Sequence, residues 1–370
     1  MYGFTSIYSL CFIVLLAITP AIERMSRNTS SPKAFRVLVL FLLMAFFSAF
    51  RAPTVGGDLE YYIPHFEEIC QLHGFGGLFN LNVSNYEPGY TLFCWGLSRI
   101  TKSSFVFLAL TGVISLIGPF SLCKRYSPWP FFSILLYILL GFYTNTFNNI
   151  RQSLALSFVF LAIPYVFRRK FFSFLLLTLL AGSFHASAVF FFVAYPLFSF
   201  HLSKYNLIPI LGISFLASLA VGAIIVQYFG GLFLSKYEEI EGSGAGRGML
   251  LLYVIILTFS LFFFDYSKHR LLPRRRRVAG FFIKLLLVAT VIQMFAVYFS
   301  SIYRMTYYFF IPIIALVPIL LTSIESKSRR SFYGFLVLAV LFCYMSLLIF
   351  SYLPEINSNP QGVIPYRFYF

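Results

Sequence analysis

Arg151 opens an apolar stretch in the sequence TNTFNNIRQSLALSF, with no acidic residue within twenty positions on either side. Backbone N–H groups at a helix amino terminus, together with a guanidinium fork, form a good phosphate site. The alternative role, a membrane-orientation signal, is already filled by the basic cluster Arg168 to Lys170 at the other end of the stretch. We therefore interpret Arg151 as an anion-binding group, with Asn148 and Gln152 as polar neighbours.

Five further ionisable residues lie next to apolar stretches: Arg51, Asp58, Glu87, His185 and Arg304. A charge at membrane depth costs roughly 3 kcal/mol, so such residues generally face a cavity or each other. Most of them also have a simpler explanation. Arg51 can snorkel, Asp58 can cap a helix, Glu87 can be a loop carboxylate, and His185 can be a hydrogen-bonded structural residue.

The elements that must position these residues follow from composition. The chain of 370 residues is 59% hydrophobic and 11% charged, whereas soluble domains carry about 25% charged residues. Its apolar runs approach bilayer-spanning length, which predicts an all-α polytopic membrane protein with about 11–13 transmembrane helices. The predicted spans lie near 3–22, 35–50, 105–122, 130–147, 151–167, 171–184, 186–200, 206–229, 249–265, 279–299, 305–322 and 332–353.

Charge distribution predicts the orientation of these spans. If the amino terminus is outside, most of the 28 Lys and Arg residues lie inside and most of the 12 acidic residues lie outside. The segment 171–200 must then cross twice, with His185 at a tight outer turn. A re-entrant or interfacial helix is predicted near 59–101. Such backbone needs cover by protein or water, so we also predict a cavity on the outer side.

The whole chain, 1–370, is predicted to be a single integral membrane domain. Outside the spans we place an outer loop at 51–104 with interfacial or re-entrant helices, a glycine-rich outer loop at 230–248, and a basic inner loop at 265–278. The basic run in the last loop suits anionic lipid and not nucleic acid, because the positive charge falls in short clusters between apolar runs.

Aromatic and acidic residues on the outer side suit sugar recognition, since rings pack on pyranose faces and carboxylates accept hydroxyl protons. Tyr61, Tyr90 and Tyr307 are the candidates for such contacts. The five cysteines show no metal-type spacing. We therefore expect neither a structural zinc site nor a disulfide framework.

Five short motifs occur in order along most of the chain: RAPTVGGDLEYY at 51–62, EPGY at 87–90, NIRQSLA at 149–155, FHASA at 184–188 and YRMTYY at 303–308. In these motifs the sequence resembles the EpsG/Wzy-type family of bacterial polysaccharide (O-antigen) polymerases. The resemblance implies a multi-helical glycosyltransferase of the bacterial inner membrane with its active site toward the periplasm.

The resemblance also implies the reaction. Such polymerases transfer a growing chain from undecaprenyl diphosphate onto a new lipid-linked oligosaccharide unit, giving O-antigen or exopolysaccharide. Metal ions and nucleotide sugars are not expected. The implied partners are lipid-linked donor and acceptor, membrane lipids, and a chain-length regulator protein.

Residue chemistry agrees with that reaction. Arginines must stabilise the leaving diphosphate, and the acceptor hydroxyl needs a base. The expected diphosphate-binding residues are Arg151, Arg304 and Arg51, and the candidate bases are His185, Asp58 and Glu87. Among the bases we favour the first two.

Three other functions stay open. An O-antigen ligase uses the same donor chemistry with a different acceptor. A transporter or flippase of lipid-linked sugars needs internal repeats and broken helices at mid-membrane, which the sequence lacks. An O-acyltransferase needs catalytic groups near the cytoplasmic face, where the loops are short and almost purely basic.

Overall fold

The computed structural model describes residues 7–72, 74, 86–203, 205–221, 245–267, 269–298, 302–351 and 366–369. Apart from one isolated bridge, these residues form helices joined by short connections, so the predicted all-α class is confirmed. The helices up to residue 184 are α1 (Ile7–Ser26), α2 (Pro32–Ala49), α3 (Leu59–Cys70), α4 (Pro88–Ser98), α5 (Ser104–Tyr126), α6 (Pro130–Leu139), α7 (Phe142–Asn148), α8 (Ile150–Phe167) and α9 (Phe171–Phe184).

A 3-10 helix, Ala186–Val193, follows α9. The remaining helices are α10 (Ala194–Ser199), α11 (Tyr205–Val221), α12 (Ala245–Ser267), α13 (Pro273–Ala296), α14 (Tyr303–Phe310), α15 (Ile313–Leu321) and α16 (Lys327–Ser351). The centre of the bundle is α8, which packs against α5 and α9.

Six helical segments of the described chain are long and apolar enough to cross a membrane. They are α2, α5, α8, α13, most of α12, and the segment Tyr303–Leu321. The bent pair of α6 and α7 makes a seventh if it is one span. The protein is therefore a multi-pass membrane protein.

That count is lower than 11–13 partly because several predicted spans are short helices. The helix α9 has 14 residues, and the next crossing consists of eight 3-10 residues and the six residues of α10. A 3-10 helix rises about 2.0 Å per residue, so this second segment extends about 25 Å in spite of its length. His185 lies between the two segments, at the predicted turn.

The predicted span at 130–147 is broken. Gly141 has a φ of +75°, in the left-handed region that glycine enters without steric cost, and α7 turns away from α6 by 55°. All residues of α7 are buried. The bend carries Asn148 to the start of α8, directly before Arg151.

Two short helices occupy the predicted outer loop. With 12 and 11 residues, α3 and α4 extend about 18 and 17 Å, which is too short for a crossing. They pack on each other, while α3 also contacts α5 and α4 contacts α9. The helix predicted near 59–101 is thus present as a pair lying against the bundle.

The carboxyl-terminal residues return to the end of α2. Ala52 donates its N–H to the carbonyl of Arg367 at 2.8 Å, and Tyr369 donates to the carbonyl of Phe50 at 2.8 Å. The hydroxyl of Tyr366 donates to the carbonyl of Phe47 at 2.6 Å. These bonds fix the backbone on either side of Arg51.

Two predicted loop boundaries need correction. The basic loop at 265–278 is mostly helical, because α12 ends at Ser267 and α13 begins at Pro273, where proline is favoured at the first helical position. The arginine run therefore lies on the first turn of α13. Of the glycine-rich loop, 230–244 falls outside the described residues, and 245–248 begin α12.

Candidate functional site

Glu87 lies between Arg151 and His185 and contacts both. Its Oε2 pairs with Nη1 of Arg151, and its Oε1 lies 3.0 Å from Nδ1 of His185. The same Oε1 accepts the N–H of Ala186 at 3.1 Å. The three side chains retain 13–19% of their exposure, so the cluster is largely enclosed but reachable.

Three helix ends place this cluster. Glu87 precedes Pro88, the first residue of α4; Arg151 is the second residue of α8; and His185 follows α9 in extended conformation. A side chain at Gly89 would put Cβ at 2.2 Å from Oγ and 2.8 Å from the carbonyl oxygen of Ser183. The glycine therefore lets α4 approach α9 closely enough for Glu87 to reach His185.

The carboxylate of Glu87 is ionised. Burial raises its pKa, but the hydrogen bond with His185 and the charge of Arg151 outweigh that effect and lower the pKa to about 2. An ionised carboxylate only accepts hydrogen bonds, so Nδ1 of His185 carries the proton. In the neutral ring, Nε2 is then the nitrogen that can accept a proton.

Aromatic residues surround Arg151. Its guanidinium lies 4.7 Å from the ring centre of Tyr86 and 5.9 Å from that of Tyr62, and its Nε donates to the Tyr62 hydroxyl at 3.4 Å. Burial and the charge of Arg151 lower the pKa of nearby His65 to about 4, so this imidazole is neutral at physiological pH.

Tyr62, Tyr86 and His65 are not among the site residues predicted from the sequence. A usable signal was present in α3, where the buried residues Leu59, Tyr62, Phe66 and Ile69 follow helical spacing. Tyr61, the predicted contact, lies off that face and is 63% exposed.

A second cation, Arg304, lies near the cluster. Its backbone carbonyl accepts a hydrogen bond from Nε2 of Gln152 at 2.5 Å. Burial raises the pKa of Asp58, while the charges of Arg304 and Arg151 oppose that rise. Both cations therefore lie within electrostatic range of one carboxylate. Within the described residues, Arg304 forms no ion pair.

Asp58 is not a capping residue. It stands at the N-cap position of α3 but makes no capping hydrogen bond. Gly56, two residues earlier, has a φ of +129° and lies so close to α7 that its Cβ would be 2.5 Å from the carbonyl oxygen of Phe147. The glycine brings this turn against α7.

Within the described part of the chain, two buried amide oxygens near Arg151 have no hydrogen-bond partner: Oδ1 of Asn148 and Oε1 of Gln152. Buried polar atoms are normally paired, so an unpaired acceptor calls for a ligand or water. Tyr307 lies one helical turn beyond Arg304 and packs edge-on against Phe142 with ring centres 5.8 Å apart.

The structure does not bring Arg51 into the cluster. Its side chain is fully buried, donates to the carbonyl of Ser48 and lies 4.9 Å from the ring centre of Phe147. The carboxyl-terminal bridge at Phe368 holds its backbone in that place. Arg51 is therefore not placed to contact a diphosphate, and its side chain packs inside the fold.

Tyr90 is also displaced from its predicted role. It has no exposed surface and packs against His65 and Tyr62, with ring centres 6.0 and 5.9 Å apart. It supports the aromatic residues around Arg151 and cannot contact a substrate directly.

The arrangement offers proton transfer beside anion binding. A histidine held by an ionised carboxylate can accept a proton, and two arginines near it can stabilise negative charge. Among the described residues, no group of three His, Cys, Asp or Glu side chains is placed to hold a metal ion.

Comparison with known proteins identifies the family to which the chain belongs. The sequence profile of the EpsG family matches residues 35–368. The amylovoran biosynthesis protein AmsC of Erwinia amylovora is 26% identical over 220 residues, which cover 59% of this chain and 57% of that relative. No solved structure is significantly similar. Because the family profile spans nearly the whole chain and every residue of the cluster, the protein is a member of the EpsG family.

Proposed function

We propose that the protein is a polysaccharide polymerase, a glycosyltransferase that joins oligosaccharide units carried on a lipid diphosphate. Membership of the EpsG family supports this role, as does similarity to a protein named for amylovoran biosynthesis. The observation that carries the proposal is the placement of Glu87, with a histidine on one oxygen and an arginine on the other. Base and cation are thereby held side by side.

The base is His185. The hydroxyl of the acceptor sugar donates a hydrogen bond to Nε2, and the proton moves to that nitrogen as the hydroxyl oxygen bonds to the anomeric carbon of the donor. Glu87 fixes the ring through Nδ1 and stabilises the imidazolium that forms. Glu87 is thus a positioning residue and not the base.

The leaving group is the lipid diphosphate. The bond between the anomeric carbon and the diphosphate oxygen breaks, and the electron pair stays with the diphosphate. Arg304 is the main cation for this charge because it has no ion pair within the described chain, while Arg151 shares its charge with Glu87. Preorganised cations at the site of developing charge supply the largest part of such catalysis.

The acceptor sugar is bound by the two unpaired amide oxygens. Asn148 and Gln152 present acceptors four residues apart, on the two sides of the break between α7 and α8, and sugar hydroxyls can donate to them once the side chains that cover them move aside. Asp58 and Tyr307 lie at the edge of the same region and complete the sugar contacts.

The lipid is undecaprenyl diphosphate and the site faces the periplasm of the bacterial inner membrane. Charge distribution supports this orientation, since the basic cluster Arg168 to Lys170 follows the end of α8 opposite Arg151. Donor and acceptor are both lipid-linked, and a chain-length regulator protein is the expected protein partner.

The proposal is tested in a strain that lacks the protein. Complementation with Arg304→Ala, Arg151→Ala or His185→Ala should give no long polysaccharide on a gel, at unchanged protein level in the membrane. The exposed Arg329→Gln serves as the matched control and should restore the full ladder. Normal ladders from the Arg304 and His185 variants would refute the proposed site.

The same gel separates polymerase from ligase. Loss of a polymerase with intact flipping leaves a single repeat unit on the lipid A core. Loss of a ligase leaves the core bare. Bare core in the deletion strain would assign the chain to ligation.

A further inference from the structure

A second cationic site lies at the opposite end of the bundle from Glu87. A cavity of about 380 Å³ is lined by Arg169, Arg276, Arg277 and Lys284, and none of the described residues in its wall is acidic. Arg169 lies two residues after Phe167, the last residue of α8, and this helix of 18 residues separates it from Arg151 by about 27 Å. The cavity is therefore independent of the site proposed for polymerisation.

Helical geometry divides the arginine run between two places. Successive residues of α13 are about 100° apart, so Arg274 and Arg275 line a different cavity beside Lys33. Arg276 and Arg277 point with Lys284 toward Phe198. A run that only oriented the protein would need no such convergence, because the positive-inside rule depends on the number of charges.

Two of these guanidiniums lie on one aromatic ring. The Cζ atoms of Arg169 and Arg277 are 4.5 and 4.9 Å from the ring centre of Phe198. Arg169 also donates to the hydroxyl of Ser199 at 2.6 Å. The two like charges are therefore less than about 10 Å apart and repel each other, so the arrangement favours a bound anion near them.

Arg169 is held in a strained backbone conformation. Its φ is +56°, and the bonds from Arg169 N to Val166 O and from Lys170 N to Tyr165 O form the turn that ends helices at a left-handed residue. Glycine is preferred at that position, because a side chain there is strained. An arginine in its place indicates that the side chain has a use.

Lys284 completes the wall. Its ammonium donates to the carbonyls of Leu197, Phe198 and Phe200, which end α10. These bonds tie the segment carrying Phe198 and Ser199 to α13. One side of the cavity is thus fixed by tertiary contacts, and its three arginines are exposed at the surface.

We propose that this cavity binds the phosphate group of an anionic membrane lipid. Guanidiniums match phosphate oxygens, and the partly buried Phe198 gives the cavity an apolar side that acyl chains can cover. The volume is in the range of small-molecule sites. Three exposed arginines around one partly buried lysine suit a headgroup whose net charge is negative.

Binding is measured on the full-length protein in detergent with three probes: dihexanoyl phosphatidic acid, dihexanoyl phosphatidylcholine and inorganic phosphate. We expect the first to bind tightest, because its phosphate is uncompensated and its chains cover the apolar side. Arg277→Gln should weaken it about fivefold and the double variant with Arg169→Gly about 30-fold. Arg329→Gln should leave it unchanged.

Arg169→Gly guards against misfolding, because glycine relieves the backbone strain while it removes the charge. The unfolding midpoint of that variant should not fall although its lipid affinity does. Equal affinities for inorganic phosphate and phosphatidic acid would contradict the proposal that the ligand is a lipid. Unchanged affinity in the double variant would overturn the site.

Discussion

At the scale of single residues, Glu87 determines how the other groups of the site are used. One oxygen orients His185 and the other pairs with Arg151, so a change at this side chain affects base and cation together. Arg304 forms no ion pair within the described chain, although Asp58 lies within electrostatic range, and in the proposed mechanism it is the main cation for the leaving diphosphate. We therefore expect substitutions at Glu87 and at Arg304 to give different phenotypes.

Glu87→Gln should reduce polymerisation about 100-fold, because an amide is neutral and stabilises neither the imidazolium nor the arginine. The measurement is consumption of lipid-linked oligosaccharide by purified full-length protein. Glu60→Gln, on the exposed face of α3, should keep full activity. Equal rates for both variants would contradict the role assigned to Glu87.

Stability should depend on pH through the same carboxylate. The pKa of Glu87 is lowered to about 2 in the folded protein, from about 4.3 in an unfolded chain. Its contribution is therefore complete above about pH 5 and is lost as the pH falls toward 2. In Glu87→Gln the thermal unfolding midpoint, measured in detergent, should fall less between pH 5 and pH 3 than it does in the unsubstituted protein. The same fall of the midpoint with pH in both proteins would argue against the ion pair.

At the scale of elements, the site depends on how closely helix ends approach. The amino terminus of α4 rests on the end of α9 at Gly89, and the turn before α3 rests on α7 at Gly56. The break at Gly141 lets α7 turn and place Asn148 before Arg151. At Gly89 and Gly56 the side chain is a single hydrogen atom, so the backbone can approach its neighbour closely.

Gly89→Ala should lower the unfolding midpoint and polymerisation together. The new Cβ meets the backbone of Ser183, which cannot move aside, and such overpacking costs about 1–3 kcal/mol. Gly96→Ala on the same helix is the matched control, because no atom lies within 4 Å of its Cβ and alanine favours helix. Comparable stability of the two variants would show that close approach at Gly89 is not required.

At the scale of the whole molecule, the site around Glu87 and the purely cationic cavity occupy opposite ends of the bundle. Glu87 and Asp58 lie at the end where α8 begins, and the cavity lined by Arg169 and Arg277 lies where it ends. This polarity is the basis for placing substrates at one membrane face and an anionic lipid at the other.

The orientation is tested by cysteine labelling in a Cys70→Ser, Cys343→Ser background, since the other described cysteines are buried. A membrane-impermeant maleimide should react with Glu60→Cys in intact spheroplasts. Lys170→Cys should react only after permeabilisation. The reverse pattern would place the site toward the cytoplasm.

The sequence by itself predicted the helical membrane class, short helices between residues 51 and 104, and the turn at His185, and the structure shows all three. Apolar run length and charge bias are properties of consecutive residues, so they can be read without coordinates. Family membership likewise rests on motifs, and most of the residues that meet in the cluster belong to those motifs.

Only the tertiary structure decided which side chains contact each other. Arg151 has no acid nearby in the chain, yet Glu87 reaches it from 64 residues away and also binds His185, 98 residues away. Arg51 is buried away from the cluster, and Tyr90 is buried behind the aromatic residues that surround Arg151. Contacts between distant residues depend on helix bends and close approaches, and no local pattern of residue types encodes those distances.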